Sequence, residues 1–297
     1  MRRADRSAVV LLALGALVTP CAASAWCRSR SASGQPDPAV CPSRGAFLGW
    51  RERCAGYALD TRTLPAEVTA ADFREAAELS AAAWASASCD PSTGAQPSFV
   101  WSALPEGPST VGYFVGQRNV NTVAFRDHWG DDAAHRDGAT AITLVTFDAQ
   151  TGQLLDADIE FNLRTPDNPA GYLFSVAGDP LAADFQTVLT HELGHAQGLA
   201  HSADADAVMG FSAGRTFAQR ALSSDDMAAI CAVAPPQSPA TCDPEAAGAP
   251  RPVAAPQGCS VSSGVRGPPV AVPTGLLLCA LSLHRAARRR RASRRRR

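Results

Sequence analysis

Apolar and polar positions along the chain follow two periods. Phe73, Ala77, Ser80 and Trp84 recur at three- and four-residue steps, which places them on one stripe of a helix over 70–86. Thr69 stands where the N-cap belongs, and Asp72 completes a capping box three residues on. A second helix is expected over 184–197, capped by Asp184, with Leu189, Leu193 and Ala196 as its apolar stripe. A third is expected over 224–233, with Ser223 as cap and Asp226 completing the box. Between the first two helices the pattern turns β-rich. Short strands are read at 99–101, 111–115, 120–125 and 142–147, followed by a turn over 148–152. Ala157, Ile159 and Phe161 then alternate with Asp156, Asp158 and Glu160, the pattern of a half-buried strand with its acids on the exposed face. Strands framed by a first and a last helix predict an α/β (α+β) fold with a single twisted mixed sheet.

Composition sharpens the boundaries. With 46% hydrophobic and 19% charged residues among 297, the chain is neither a disordered polar polymer nor a multispan membrane protein. Residues 1–25 carry early arginines, an apolar run over 8–18 and a terminal Ala23-Ser24-Ala25, the pattern of a cleaved export signal. Residues 26–234 form the expected folded domain, and 235–258 are a linker rich in Pro and Ala. Residues 259–297 hold a second apolar run, 270–283, and a terminal arginine block. Twelve of the 27 basic residues, all arginine, sit in the two end segments, and all but one of the 28 acids lie between them. The body is therefore strongly acidic despite the formal net charge of −1, which argues against nucleic acid as a partner. Setting aside Cys21, Cys259 and Cys279, six of the nine cysteines fall in the body, and in an exported chain they predict three disulfides. Cys231 with Cys242 is one plausible short loop among the alternatives.

One segment concentrates chemistry: His191-Glu192-Leu193-Gly194-His195-Ala196-Gln197-Gly198-Leu199-Ala200-His201. His191 and His195, four apart on a helix, point the same way. Gly198 allows a left-handed turn that ends the helix and returns His201 as a third nitrogen donor. A lone histidine is usually a satisfied core or surface residue; three at this spacing are not. Three neutral imidazoles suit tetrahedral Zn2+ with a fourth position open for water. Zinc lowers the pKa of that water, Glu192 accepts its proton, and amide hydrolysis follows, with Glu192 returning the proton to the leaving amine. Glu192 is the candidate catalytic residue, and His191, His195 and His201 are the candidate metal ligands.

The run resembles the extended zinc motif of the metzincins, and His201-Ser202 resembles their matrixin branch. The resemblance implies a metzincin-like catalytic domain, an active-site helix and a C-terminal helix. It places Met209, in Val208-Met209-Gly210, as a methionine turn beneath the zinc. It further implies that the strand at Ile142 flanks a cleft and pairs with an extended polypeptide substrate. Phe211 is a candidate for the wall of the substrate pocket. No propeptide cysteine motif is present. His128 and His135 read as surface residues rather than ligands of a second zinc, and Asp131, Asp132, Asp137, Asp156, Asp158 and Glu160 are candidate Ca2+ ligands. The segment from Gly258-Cys259-Ser260 onward resembles the C-terminal sorting tails of myxobacterial surface proteins. That likeness implies surface-anchoring machinery as a partner and a location that is secreted or anchored at the cell surface. The expected protein is a monomeric exported zinc metalloendopeptidase. The alternative from another class is a non-catalytic zinc-containing surface binding module.

Overall fold

In the computed structural model the Thr69 side chain accepts the Asp72 amide and opens helix α1, Ala70–Ala85, as its capping residues require. The structure describes residues 25–32, 40–51, 54–89, 98–103, 110–117, 119–130, 135, 138–210, 217–233 and 258–263. In chain order the strands are β1 (Cys27–Arg28), β2 (Cys54–Leu59), β3 (Ser98–Ala103), β4 (Asn121–Arg126), β5 (Ala141–Phe147), β6 (Leu154–Asn162), β7 (Phe174–Ser175), β8 (Ala183–Asp184), β9 (Leu199–Ala200) and β10 (Gly258–Ser263). Two further helices are α2, Phe185–Ala196, and α3, Ser224–Val233. Six strands form one mixed sheet in the order β10-β5-β6-β4-β2-β3. β2, β3, β4 and β6 run parallel where they pair, and β5 is antiparallel to β6 and to β10. The fold class is the mixed α/β one expected, with two small pairs, β1-β9 and β7-β8, beside the main sheet.

α1 and α2 pack on one face of the sheet. Phe73 of α1 and Phe185 of α2 lie 5.1 Å apart between ring centroids, and Phe185 lies 4.9 Å from Phe161 of β6. Phe125 and Phe174 close the same aromatic cluster. The predicted stripe Phe73, Ala77, Ser80 and Trp84 is wholly buried. Two hydrogen bonds lock α1 to α2: the Ser80 hydroxyl donates to the Gln186 carbonyl and Trp84 Nε1 to the Thr190 carbonyl at 2.7 Å. α2 is buried on every side rather than along one stripe. Its polar residues tolerate this because they are bonded internally; the Thr190 hydroxyl, for instance, donates to the Gln186 carbonyl at 2.7 Å.

Four expectations are corrected. Residues 111–115 form a loop, with Gly112 and Gly116 at φ +104° and +74°. Asn119 braces it by accepting the Phe114 amide and donating to the Phe114 carbonyl, so Phe114 and Val115 stay 42% and 50% exposed. The second correction concerns β6: the alternation is real but both faces are buried. Asp158 accepts the amides of Gly112 and Thr122, while Glu160 takes Arg126 Nη1 at 3.1 Å and His135 Nε2 at 2.8 Å. The third is His135, which is 3% exposed and so is not a surface residue. His128 is exposed as expected, beside Asp127. Fourth, Cys231 bonds Cys89 rather than Cys242, tying the end of α1 to α3 across 142 residues. A second disulfide joins Cys27 to Cys41.

Asp156 and Asp158 share the buried acid face. Burial, followed by the nearby Asp158 charge, holds the Asp156 carboxyl well above the usual carboxylate range. Burial also pushes Asp158 up to about 7, opposed by the two backbone amides it accepts. Among the described residues Asp156, Asp158 and Glu160 form no group able to share a cation. Asp131, Asp132, Asp137 and Phe211 lie outside the described residues, as do residues 1–24, Cys242 and the apolar run 270–283. Among the described residues no helix is long and apolar enough to cross a membrane.

Candidate metal centre

Asp184 accepts the Thr187 amide and starts α2. Arg220 pairs with the same carboxylate, anchoring the helix start to the segment before α3. From that fixed start, four-residue spacing carries His191 and His195 onto one side, with ring centroids 4.7 Å apart. Gly198 then takes φ +94°. A Cβ there would collide with the Leu48 carbonyl oxygen, so the turn needs glycine twice over: for its dihedral and for the approach of residue 48. β9 pairs antiparallel with β1 and delivers His201, whose ring centre lies 5.2 Å from that of His191 and 4.8 Å from that of His195. One nitrogen from each of the three rings lies within 4.8 Å of the others. Among the described residues this is the group of His, Cys, Asp or Glu side chains able to share a cation.

The far sides of two rings are fixed. His191 Nδ1 bonds the Val208 carbonyl at 2.6 Å, and His195 Nδ1 bonds the Leu199 carbonyl at 2.9 Å. A carbonyl can only accept, so Nδ1 carries the proton and Nε2 is left as the donor of electrons to a metal. The set therefore fits a borderline-soft divalent ion such as zinc. Glu192, on the next helical position, is fully buried. Thr143 of β5 donates its hydroxyl to Glu192 Oε2 at 2.7 Å, which ties the carboxylate to the sheet.

Met209 is 1% exposed and packs against α2 at Gly194. A Cβ on Gly194 would meet Met209 Sδ and Trp84 Cζ2. The glycine between the two helical histidines is thus the notch into which the thioether fits. The loop that presents Met209 is held by Asp226 of α3, whose two carboxylate oxygens accept the amides of Val208 at 2.7 Å and Met209 at 3.0 Å. The same carboxylate accepts the Ser223 amide, so one side chain serves the predicted capping box and the floor of the site. Its neighbour Asp225 accepts the Ser202 hydroxyl and the amides of Ala25 and Trp26.

The structure thus brings His191, Glu192, His195, His201 and Met209 together. Three contributors were missed by sequence reasoning. Thr143 reads as an ordinary strand residue, Asp226 as a helix cap alone, and Trp50, whose Nε1 donates to the Ala196 carbonyl at 2.7 Å, carries no local signal. Only a pattern linking each to the zinc run, 25 positions beyond its last histidine for Asp226 and further away for the others, could have found them. A comparison with curated proteins finds no match. Residues 116–233, which contain every one of the predicted ligands, Glu192 and Met209, match the family model of the matrixins, peptidase family M10, and this supports a matrixin-like metalloprotease domain.

Proposed function

We propose that the protein is an exported zinc-dependent endopeptidase with His191, His195 and His201 as zinc ligands and Glu192 as the proton carrier. The carrying observation is the convergence of three imidazoles beside a buried carboxylate that the sheet holds in place. A zinc ion held there would supply Lewis acidity, polarising a substrate carbonyl and acidifying water. The protein's own groups do the rest. Val208 and Leu199 carbonyls orient two of the rings, and Met209 supports the helix from below. Thr143 fixes the Glu192 carboxylate, which takes a proton from the attacking water and hands it to the departing amine. A scaffold that only binds has no use for a carboxylate so oriented, which favours the enzyme over the binding module.

In this reading residues 1–25 are removed on export and 26–234 form the catalytic domain. Residues 235–258 link it to a tail that engages anchoring machinery at the cell surface. Glu192→Ala is expected to bind zinc as the parent does and to lose roughly 10²–10⁴-fold in peptide hydrolysis. The check is metal content by elemental analysis together with peptide-library digestion, with and without a chelator. Full turnover in that variant would remove Glu192 from the reaction.

A further inference from the structure

An antiparallel strand pairs on two sides, and β5 uses both. β6 lies along one side; along the other lies β10, drawn from far down the chain. The second ladder is antiparallel and continuous, pairing Phe147 with Gly258, Leu144 with Val261, Thr143 with Ser262 and Ile142 with Ser263. Its far end runs beside the residue that touches Glu192: Ser262 pairs with Thr143, which donates to that carboxylate. A polypeptide laid on the outer side of β5 needs the same main-chain donors and acceptors, and these serve one chain at a time.

The occupant is weak by composition. Gly258, Cys259, Ser260, Val261, Ser262 and Ser263 include one aliphatic side chain and no charge, so recognition rests on the backbone ladder. What holds such a strand is its covalent tether, residues 234–257, which gives it a local concentration in the millimolar range. A strand of this kind is present by default and is displaceable.

We propose that the outer edge of β5 is a peptide-docking edge that the chain's own segment Gly258–Ser263 fills, so that the tail competes with polypeptide substrate at the site. The competition rests on the peptidase reading; the docking does not. An occupant in place nine-tenths of the time raises the apparent KM about tenfold and leaves kcat alone.

The test uses the chain from residue 26 to the C-terminus and its double variant Val261→Pro, Ser262→Pro. In an antiparallel pair one of two adjacent amides faces the neighbouring strand, so the two prolines remove a rung whichever it is. The readouts are hydrogen exchange of amides 142–147 and the kinetics of a fluorogenic peptide. The variant is expected to exchange faster along β5 and to show about a tenfold lower KM at equal kcat. A synthetic peptide of residues 256–265, added to the variant, is expected to slow exchange and raise KM again. Equal exchange in the two chains overturns the docking, and faster exchange with unchanged KM overturns the competition. Zinc-loaded protein that cleaves no peptide in either form, with exchange rising as expected, overturns the peptidase reading and the competition with it, while establishing the docked strand.

Discussion

The molecule buries two polar clusters and treats them in opposite ways. On the helix side, His191, His195 and His201 gather their nitrogens within 4.8 Å, and backbone carbonyls hold two of the rings by their far edges. On the other side of the sheet, Asp156, Asp158 and Glu160 are buried too, yet backbone amides, Arg126 and His135 engage Asp158 and Glu160, and burial favours the protonated form of Asp156. Burial of polar groups is common to both. What separates a site from a structural network is where the protein's own partners attach. Partners on the outer edge aim the inner edge at one point; amides and cations spread over separate carboxylates leave no common point.

The largest effect should come from breaking the first cluster. His195→Ala leaves two nitrogens, and zinc affinity is expected to fall at least a hundredfold, read by competition with a chromogenic chelator. Disturbing the floor costs stability before chemistry. Asp226→Ala strands two buried amides and breaks the capping box of α3, an expected loss of about 3–5 kcal/mol in urea unfolding. Thr143→Val keeps the shape of the side chain and removes its hydroxyl. Zinc content is expected to be unchanged and kcat to fall roughly tenfold, the cost of about one hydrogen bond to a charged group.

The second cluster answers to pH instead of metal. Asp158 titrates at about 7 in the fold, against about 4 in an unfolded chain, so the fold favours its protonated form. Its contribution is complete below about pH 4 and is lost as pH rises through about 7. Asp156→Asn keeps a donor facing Asp158 and removes the titratable carboxyl that burial and the Asp158 charge raise. The urea midpoint of the parent should fall between pH 5 and 7.5 more steeply than that of the variant, and parallel profiles would show that the pair is not protonated.

What the sequence shows of this architecture depends on how far apart the cooperating residues lie. Thr69 with Asp72, Asp184 with Thr187 and Ser223 with Asp226 are three-residue devices, and all three helices begin where these pairs place them. The zinc run is equally local, so its convergence could be read from spacing. Residues 111–115 misled because their β-favouring side chains speak for a strand, while Gly112 and Gly116 impose turns. His135 reads as exposed until Glu160, 25 positions on, buries it. Cys231 has Cys242 close in sequence but Cys89 close in space. β10 carries almost no strand signal and exists by pairing with β5.

Asp226 also sets the order in which the centre can be completed. A chain that emerges from its N-terminus first presents all three histidines well before the carboxylate that braces Val208 and Met209. The brace beneath the histidines is therefore complete only once α3 has been made and has docked.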